Sequence, residues 1–191
     1  MGSASATTPE TLTAHNNATV HLRAVKEDDA GLIIELFEAS SAETVFNRFL
    51  APVARLDDER IRTLTHLESG IDYAIAACID ENGRERIAGV GRFRRISREA
   101  AEIAIVVGDP WQRLGIGGML LRQLTTAARE MNLEWFDSTI DPGNLRLLRF
   151  AEACGFKGSL KYQTGLLHMR TDISSLFPEE PHDPIAGHPR P

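Results

Sequence analysis

Hydrophobic and polar residues alternate in several short segments of the chain, and this two-residue period is typical of strands with one buried face. Between the second and third of these segments lies Asn82-Gly83, a pair that favours the tight turn of a hairpin. The last two segments are also close enough in sequence to predict a closing hairpin. The predicted strands are 18–25, 71–79, 87–95, 99–107, 133–140, 156–163 and 166–173.

Elsewhere, apolar residues recur every three or four positions, which is the period of helices that bury one face. Glu27, Asp28 and Asp29 precede the first such segment, and acidic residues favour a first turn through the helix dipole. Pro142 opens the last helix and Gly155 ends it, as these residue types commonly do. The predicted helices carry Leu32 to Phe37, Val45 to Leu50, Ile61 to His66, 119–131 and 142–155.

The elements follow the order strand, two or three helices, three strands, helix, strand, helix and two strands. This mixed order predicts an α/β or α+β fold, in which helices cover the faces of a central sheet. Segment 1–17 is small and polar, and we expect it to be disordered. Segment 174–191 carries five prolines and predicts an irregular tail, which leaves a single domain at 18–173.

The composition argues against several classes of protein. The chain has 21 Lys and Arg against 27 Asp and Glu, a net charge of −6, so it lacks the basic excess of a general nucleic-acid binder. No apolar run reaches the roughly 20 residues of a membrane span, and the first residues do not resemble a secretory signal. Cys78 and Cys154 lack further ligands at metal spacing, so we expect no metal. Two free thiols suit the reducing cytoplasm, where we expect this soluble protein.

A glycine-rich turn between strand 99–107 and helix 119–131 has the character of an anion site. The N-terminus of a helix exposes unpaired N–H groups and the positive end of the dipole, and glycines let a pyrophosphate approach them. A P-loop would need Gly-Lys-Ser/Thr where the chain has Gly117-Gly118-Met119. A dinucleotide loop would need a third glycine at Leu120. Glycines that merely tighten the turn are the alternative.

The six residues from Gln112 match the Gln/Arg-x-x-Gly-x-Gly/Ala motif of the GNAT superfamily of acyl-CoA-dependent N-acetyltransferases. Val106 and Val107 precede this motif where the family's fourth strand ends. Asn144 lies eleven residues before Gly155-Phe156, which resembles the family's Asn…Gly-Phe segment. The resemblance implies a mixed, mostly antiparallel central sheet of about six or seven strands with helices on both faces.

The resemblance covers about residues 19–172, and it also implies a binding mode. In the family, acetyl-CoA lies where the fourth and fifth strands separate; the turn binds its pyrophosphate and the fourth strand pairs with its pantetheine arm. Direct attack by an amine in a ternary complex needs no metal, and a fixed N–H stabilises the charge on the thioester carbonyl. Carried over, the acetyl-CoA-binding positions are Val106, Val107, Gln112, Arg113, Leu114, Gly115, Ile116, Gly117, Gly118 and Asn144.

Glu102 is the candidate general base, because a lysine amine has a pKa near 10.4 and must lose a proton before it attacks. By alternation Glu102 shares a face with Ala104 and Val106, whose small size leaves room for a substrate arm. The resemblance agrees, since many members carry a glutamate on this strand. The alternative is a solvent-facing carboxylate. Many relatives also carry a tyrosine that protonates the leaving thiolate, and this chain has Ala151 there.

Residues 44–66 resemble, more loosely, the helical segment of bacterial protein-lysine acetyltransferases. Three functions therefore stay open: transfer to a protein lysine, transfer to a small amine, and acyl-CoA binding without catalysis. The acids Glu102, Asp57, Asp58 and Glu59 predict a negative cleft that attracts a cationic amine. The alternative for Asp57 to Glu59 is that they cap and solvate a helix.

Overall fold

The computed structural model describes residues 10–14 and 19–177, and this part of the chain forms one eight-stranded sheet and five α-helices. The strands are β1 (Glu10–Thr13), β2 (Thr19–Ala24), β3 (Asp72–Glu81), β4 (Arg84–Arg95), β5 (Ala100–Val107), β6 (Trp135–Ile140), β7 (Gly158–Gln163) and β8 (Leu166–Asp172). The helices are α1 (Ala30–Glu38), α2 (Ala42–Phe49), α3 (Asp58–Thr65), α4 (Ile116–Glu130) and α5 (Leu145–Ala153).

The strands lie side by side in the order β1-β2-β3-β4-β5-β6-β8-β7. Every neighbouring pair is antiparallel except β5 with β6, which are joined by the crossover through α4. The predicted turn of the β3–β4 hairpin is confirmed, because Asn82 and Gly83 have φ values of 59° and 80°, as a type I′ turn requires.

Helices cover both faces of the sheet, as predicted. On one face α4 lies directly on the central strands: a Cβ added at Gly91 of β4 would stand only 2.9 Å from the Leu124 side chain. Glycine at this position therefore lets the helix approach the sheet closely. On the other face, Ile33 and Leu36 of α1 pack toward Val90 and belong to the main core.

The parallel pair β5–β6 is paired only at its beginning, from Ala100↔Trp135 to Glu102↔Asp137. Beyond Glu102, β5 continues to Val107 against β4 alone, and β6 continues to Ile140 against β8 alone. The sheet is therefore split between these two strands, and backbone groups at the split have no partner strand to bond.

The split also divides the hydrophobic core. The main core lies around β2 to β5, α1 and α4, whereas a smaller one contains Ile140, Ala151 and Met169. The smaller core packs α5 against β6 and β8. The molecule thus presents two packed bodies on either side of the opening between β5 and β6.

The main difference from the sequence prediction is β1. Glu10–Thr13 falls within segment 1–17, for which disorder was expected, and it pairs with β2 from Glu10↔Leu22 to Thr13↔Thr19. Four residues carry too little pattern to predict a strand, and it is the exposed edge of β2 that supplies the pairing. This strand raises the count from six or seven to eight.

The predictions for the two ends of the chain concern residues that the structure describes only in part. Residues 1–9, 15–18 and 178–191 lie outside the described part, and so does most of the predicted tail. The described start of that tail packs onto α4: Leu176 is buried, and its carbonyl accepts a hydrogen bond from Arg129 at 2.8 Å. The Arg122 guanidinium lies 4.2 Å above the Phe177 ring.

Candidate active site

The turn from β5 into α4 is shaped by one buried aromatic side chain and two residues with positive φ. Asp109–Trp111 forms a single 3-10 turn, and Trp111 packs into the main core. Arg113 (φ 63°) and Gly115 (φ 87°) then reverse the chain into the helix. Gly115 is the N-cap of α4 in the left-handed region, where glycine is favoured because it has no Cβ.

The N-terminus of α4 is open on the side of the split. Ile116, Gly117 and Gly118 form its first turn, and their N–H groups have no partner within the helix. A Cβ added at Gly118 would meet nothing within 4 Å, and one at Gly117 would meet only Phe150 and Val107, at 3.7 Å or more. The alternative that glycines merely tighten the turn therefore explains Gly115 but not these two.

Gln112 braces this turn with its side chain. Its Nε2 donates to the Val107 carbonyl at 3.0 Å and to Thr44 Oγ1 of α2 at 3.1 Å. Its Oε1 accepts from Arg146 of α5 at 3.3 Å. The amide thus joins three elements around the split, which is a reason for glutamine here that does not require ligand contact.

Asn144 has a similar structural part at the start of α5. Its Oδ1 accepts a hydrogen bond from the Leu147 N–H at 3.1 Å, so Asn144 is the N-cap of the helix. Such a cap satisfies a backbone donor that would otherwise lack a partner. The side-chain amide oxygen of Asn144 therefore caps α5.

Alternation along β5 decides which peptide groups reach the split. Gly108 N–H donates to Ala88 O at 3.0 Å, in register with the β4–β5 ladder. Because peptide groups in an antiparallel ladder alternate, those of Val106 point to β4, while those of Val107 and Ile105 point to the split. The expectation that both valines pair with a ligand is corrected here: only Val107 has its N–H on the open side.

A cleft fills the split. Its walls come mainly from β5, β6 and α5, with contributions from α2, α4 and β8, and most of the wall is apolar. The lining residues include Ile103, Ala104 and Ile105 of β5, Phe136, Ser138 and Thr139 of β6, and Leu147, Phe150 and Ala151 of α5.

Two small side chains stand out in this cleft. Ala151, at the position of the family's tyrosine, is buried and lines the wall. Ser138 lines the same wall, and its Oγ is buried without a hydrogen-bond partner among the described residues. A buried hydroxyl without a hydrogen bond lowers the stability of the fold. The Ser138 Oγ is therefore available to bond a group that enters the cleft.

A second cavity, called here the α1–α3 cavity, lies on the α1–α3 face beside the split. Its wall is apolar except for Ser40, Thr44 and two arginines, Arg48 of α2 and Arg92 of β4. Arg48 lines both this cavity and the cleft, so it lies where the two meet.

The two arginines differ in how their charge is satisfied. The Arg92 guanidinium donates to the Thr63 carbonyl at 2.6 Å and to Asp72 at 2.9 Å. The Arg48 guanidinium lies 5.1 Å from the Phe49 ring centroid but forms no hydrogen bond within the part of the chain that the structure describes. Loss of hydration lowers the pKa of Arg48 to about 10; the charge of Arg92 acts in the same direction, and that of Glu102 opposes it.

Glu102 occupies the position at which the split begins. It is the last residue of β5 paired with β6, and it is exposed. Ala104 and Val106, two and four residues further on, line the α1–α3 cavity, in agreement with the predicted alternation. Across the ladder Glu102 lies opposite Arg94, whose guanidinium bonds Asp72 at 2.7 Å.

The other acids of the predicted negative cleft lie elsewhere. Asp57 is the N-cap of α3: its carboxylate accepts from the Arg60 N–H at 2.8 Å and forms an ion pair with the Arg60 side chain. Asp58 and Glu59 are exposed in the first turn of α3. These three residues follow the capping alternative, and the residues that line the cavities carry positive charge instead.

No function was predicted from the sequence for Arg48, which contributed only to the resemblance of residues 44–66, or for Ser138, which was not considered. Each nevertheless leaves a signal in the sequence. Arg48 is three residues after buried Val45, on the apolar side of α2. Ser138 lies between Phe136 and Ile140 on the buried side of β6. A polar residue at a position that the period assigns to the core is the pattern that would have identified both.

The family is established by comparison with known proteins. The acetyltransferase (GNAT) domain model matches residues 19–157, which is more than half of the chain, and the chain belongs to this family. Acetyltransferase PA5475 of Pseudomonas aeruginosa is 25% identical over 140 residues, which cover 73% of this chain and 75% of the relative. The GNAT fold implies an acyl-CoA and an amine acceptor.

Solved structures agree with this fold. The GNAT domain of S. lividans PAT superposes with a TM-score of 0.78 at 23% identity, covering 86% of this chain and 96% of that domain. A cAMP-binding acyltransferase from Mycobacterium smegmatis gives a TM-score of 0.59 at 19% identity. That match covers 91% of this chain but 50% of the larger protein.

The described part of the chain was expected to contain neither a membrane span nor a metal site. Among the helices that the structure describes, none combines the length and apolar character of a membrane span. Within residues 10–14 and 19–177, no three His, Cys, Asp or Glu residues are grouped as metal ligands would be. Both cysteines are free thiols, and burial raises the pKa of Cys78 to about 11.

Proposed function

We propose that this protein transfers the acetyl group of acetyl-CoA to a primary amine by direct attack in a ternary complex, and that the amine is a protein lysine. The observation that carries the proposal is the position of the α4 N-terminus. Its first turn, with Gly117 and Gly118 open on the outer side, lies beside Val107 and Phe150 at the cleft between β5 and β6.

The residues of the turn fit a pyrophosphate. The N–H groups of Ile116, Gly117 and Gly118 are directed outward at the positive end of a 15-residue helix. With no side chain at 117 or 118, anionic oxygens would reach these donors without steric conflict. Gln112 and Asn144 would support the site from behind, by bracing the turn and capping α5.

The open edge of β5 would hold the arm that joins the pyrophosphate to the thioester. Val107 and Ile105 direct peptide groups into the split, where an extended amide chain would bond them as a neighbouring strand does. The same N–H groups suit the oxygen of the thioester, which gains negative charge during attack. When bound, acetyl-CoA supplies an acyl carbon whose C–S bond breaks as the C–N bond forms.

Glu102 would accept the proton that the attacking ammonium must lose. It lies at the closed end of the split, on the face of the α1–α3 cavity, and its exposure gives it access to water. A carboxylate at this point would act directly or through one water molecule. The proton then passes to solvent, so the carboxylate is regenerated in each cycle.

Ser138 would assist the departure of the thiolate in place of the missing tyrosine. A serine hydroxyl is too weak an acid to protonate a thiolate with pKa near 8.5 outright, but it stabilises that anion as a hydrogen-bond donor. The buried Oγ has no partner among the described residues and lines the wall that Ala151 also lines. The second proton, which the nitrogen loses as the amide forms, would pass through water to the released thiolate.

The lysine acceptor is supported by the resemblance of residues 44–66 to protein-lysine acetyltransferases and by the fold shared with the GNAT domain of S. lividans PAT. The acids of α3 no longer support it, because Asp57 caps the helix. A small amine remains the alternative acceptor, since a mostly apolar cavity lies beside the split.

The test is a thiol-release assay with acetyl-CoA and a panel of lysine peptides, candidate proteins and small amines, with mass spectrometry of the products at low and high ionic strength. We expect thiol release that depends on an amine, and acetylated lysine among the products. If thiol is released with small amines but not with lysine peptides or proteins, the acceptor is a small amine and not a protein lysine. Binding of acetyl-CoA without release in any reaction would leave a non-catalytic acyl-CoA-binding module.

A further inference from the structure

The α1–α3 cavity contains a charge that has no ion-pair or hydrogen-bond partner among the described residues. Arg48 and Arg92 both line it, together with apolar side chains of α1, α2 and β5. Arg92 is paired with Asp72 and the Thr63 carbonyl, so its charge is accounted for. Arg48 is half-buried, forms no hydrogen bond within the described residues, and has an aromatic ring as its nearest partner.

An unpaired guanidinium in an apolar cavity is unusual. A charge that leaves water without a partner is costly, and buried arginines are normally paired with carboxylates or carbonyls. The contact with the Phe49 ring offsets only part of this cost. Glu102 attracts Arg48 electrostatically, but it is exposed and forms no hydrogen bond to it in the described chain.

The position of Arg48 limits what its partner is. It lies where the cavity meets the β5–β6 cleft, beside Ala104, so a group bound to it sits next to the reacting end of the site. A lysine side chain or a polyamine arriving alone would be repelled there. A planar carboxylate matches the fork of the guanidinium and forms two parallel hydrogen bonds with it.

We propose that Arg48 binds a carboxylate of the substrate, carried on an apolar stem that fills the α1–α3 cavity. The inference rests on the proposed function and narrows its substrate class. The carboxylate has two possible sources with the same chemistry. It belongs either to an acyl group derived from a dicarboxylic acid or to an acceptor in which the amine and a carboxylate are close together.

The experiment compares matched pairs of substrates. For the donor, succinyl-CoA is compared with butyryl-CoA, which has the same chain length but no charge, using a lysine peptide as acceptor. For the acceptor, apolar amino acids are compared with their amides, using acetyl-CoA as donor. The quantity measured is the ratio of kcat/KM for the charged substrate to that for its neutral partner.

Three variants accompany the parent protein. Arg48→Met removes the charge but keeps the apolar stem, and Arg48→Lys keeps the charge but loses the fork. Arg62→Met removes an exposed arginine of α3, outside both cavities, and serves as the matched control. Because the ratio is taken within one variant, a loss of folded protein cancels.

We expect a ratio of about ten or more for the parent in one of the two arms, and that arm identifies the source of the carboxylate. Arg48→Met should bring the ratio to about one or below, Arg48→Lys should give an intermediate value, and Arg62→Met should match the parent. A parent ratio near one in both arms overturns the inference, and so does a preference that survives in Arg48→Met.

Failure of the proposed function is distinguishable. If no donor is turned over with any acceptor, the transferase proposal fails, and calorimetry with the same pairs decides the inference. Tighter binding of a charged partner that disappears in Arg48→Met supports it. Equal binding of charged and neutral partners contradicts it.

Discussion

The two cavities that meet at β5 are built in different ways. In the β5–β6 cleft, the groups proposed to bind acyl-CoA are chiefly backbone: an unpaired strand edge, a helix end, and two glycines with free space beside them. The α1–α3 cavity is made of side chains from three helices and two strands, with Arg48 at its inner end. On the two proposals, backbone donors bind the CoA part of the substrate, whereas the Arg48 side chain selects a carboxylate on the acyl group or the acceptor.

The largest expected effect is on the backbone-built side. Gly117→Glu places a bulky anion where the pyrophosphate would lie, so we expect acetyl-CoA affinity to fall at least about a hundredfold through steric exclusion and repulsion. Gly31→Glu adds the same side chain to an exposed position of α1 with free space around it, and should bind as the parent does. Calorimetry decides, and equal binding by Gly117→Glu would remove the phosphate assignment.

A smaller loss, confined to turnover, is expected at the boundary between the two cavities. Glu102→Gln keeps the shape and cannot accept a proton, so kcat should drop about a hundredfold with acetyl-CoA affinity nearly unchanged. Glu99→Gln, an exposed neighbour just before β5, is the control. Parental kinetics in Glu102→Gln would exclude this residue as base.

An intermediate effect on kcat is expected from Ser138, a side chain that lines the β5–β6 cleft. Ser138→Ala removes the hydroxyl proposed to stabilise the leaving thiolate, and we expect kcat to fall about tenfold without a change in acetyl-CoA affinity. The exposed Thr126 hydroxyl bonds only the carbonyl of Arg122 in its own helix, so Thr126→Ala should keep parental kcat. If Ser138→Ala retains full kcat, the thiolate departs without this donor.

The smallest effect concerns the support of the cleft. Asn144→Ala removes the cap of α5 and should cost about 1 kcal/mol of stability. That corresponds to a fall in Tm of about 2–4 °C for a chain of this size. Asn144→Asp keeps the capping oxygen and should retain most of the stability. Thermal unfolding with and without acetyl-CoA separates the readings: a variant that keeps its Tm but loses affinity would make Asn144 a ligand contact.

Features formed by residues close in sequence were the ones that the sequence predicted. The turn after β5 is formed by residues close in sequence, so the glycines and the motif predicted a loop followed by a helix. The helix begins at Ile116, three residues before the predicted position 119. The hairpin with Asn82-Gly83 is local as well. The mixed α/β fold followed from the order of elements, and the mostly antiparallel sheet from the family resemblance. Both are confirmed, apart from the added edge strand β1.

What the sequence did not predict depends on contacts between distant elements. Arg48 and Ala104 line the same cavities because α2 packs against β5, and Ser138 lines the cleft that the separation of β6 from β5 opens. The direction of the peptide groups at Val106 and Val107 likewise depends on the register with β4. Spacing along one chain carries none of this information.

The central claim is that the split between β5 and β6 binds acyl-CoA with the α4 N-terminus at its pyrophosphate, and a crystal structure of the complex with acetyl-CoA tests it most directly. We predict phosphate oxygens within hydrogen-bond distance of the Gly117 and Gly118 N–H groups and the thioester beside Ile105 in the split. Pyrophosphate bound away from the first turn of α4, or a thioester outside the β5–β6 opening, would contradict the account.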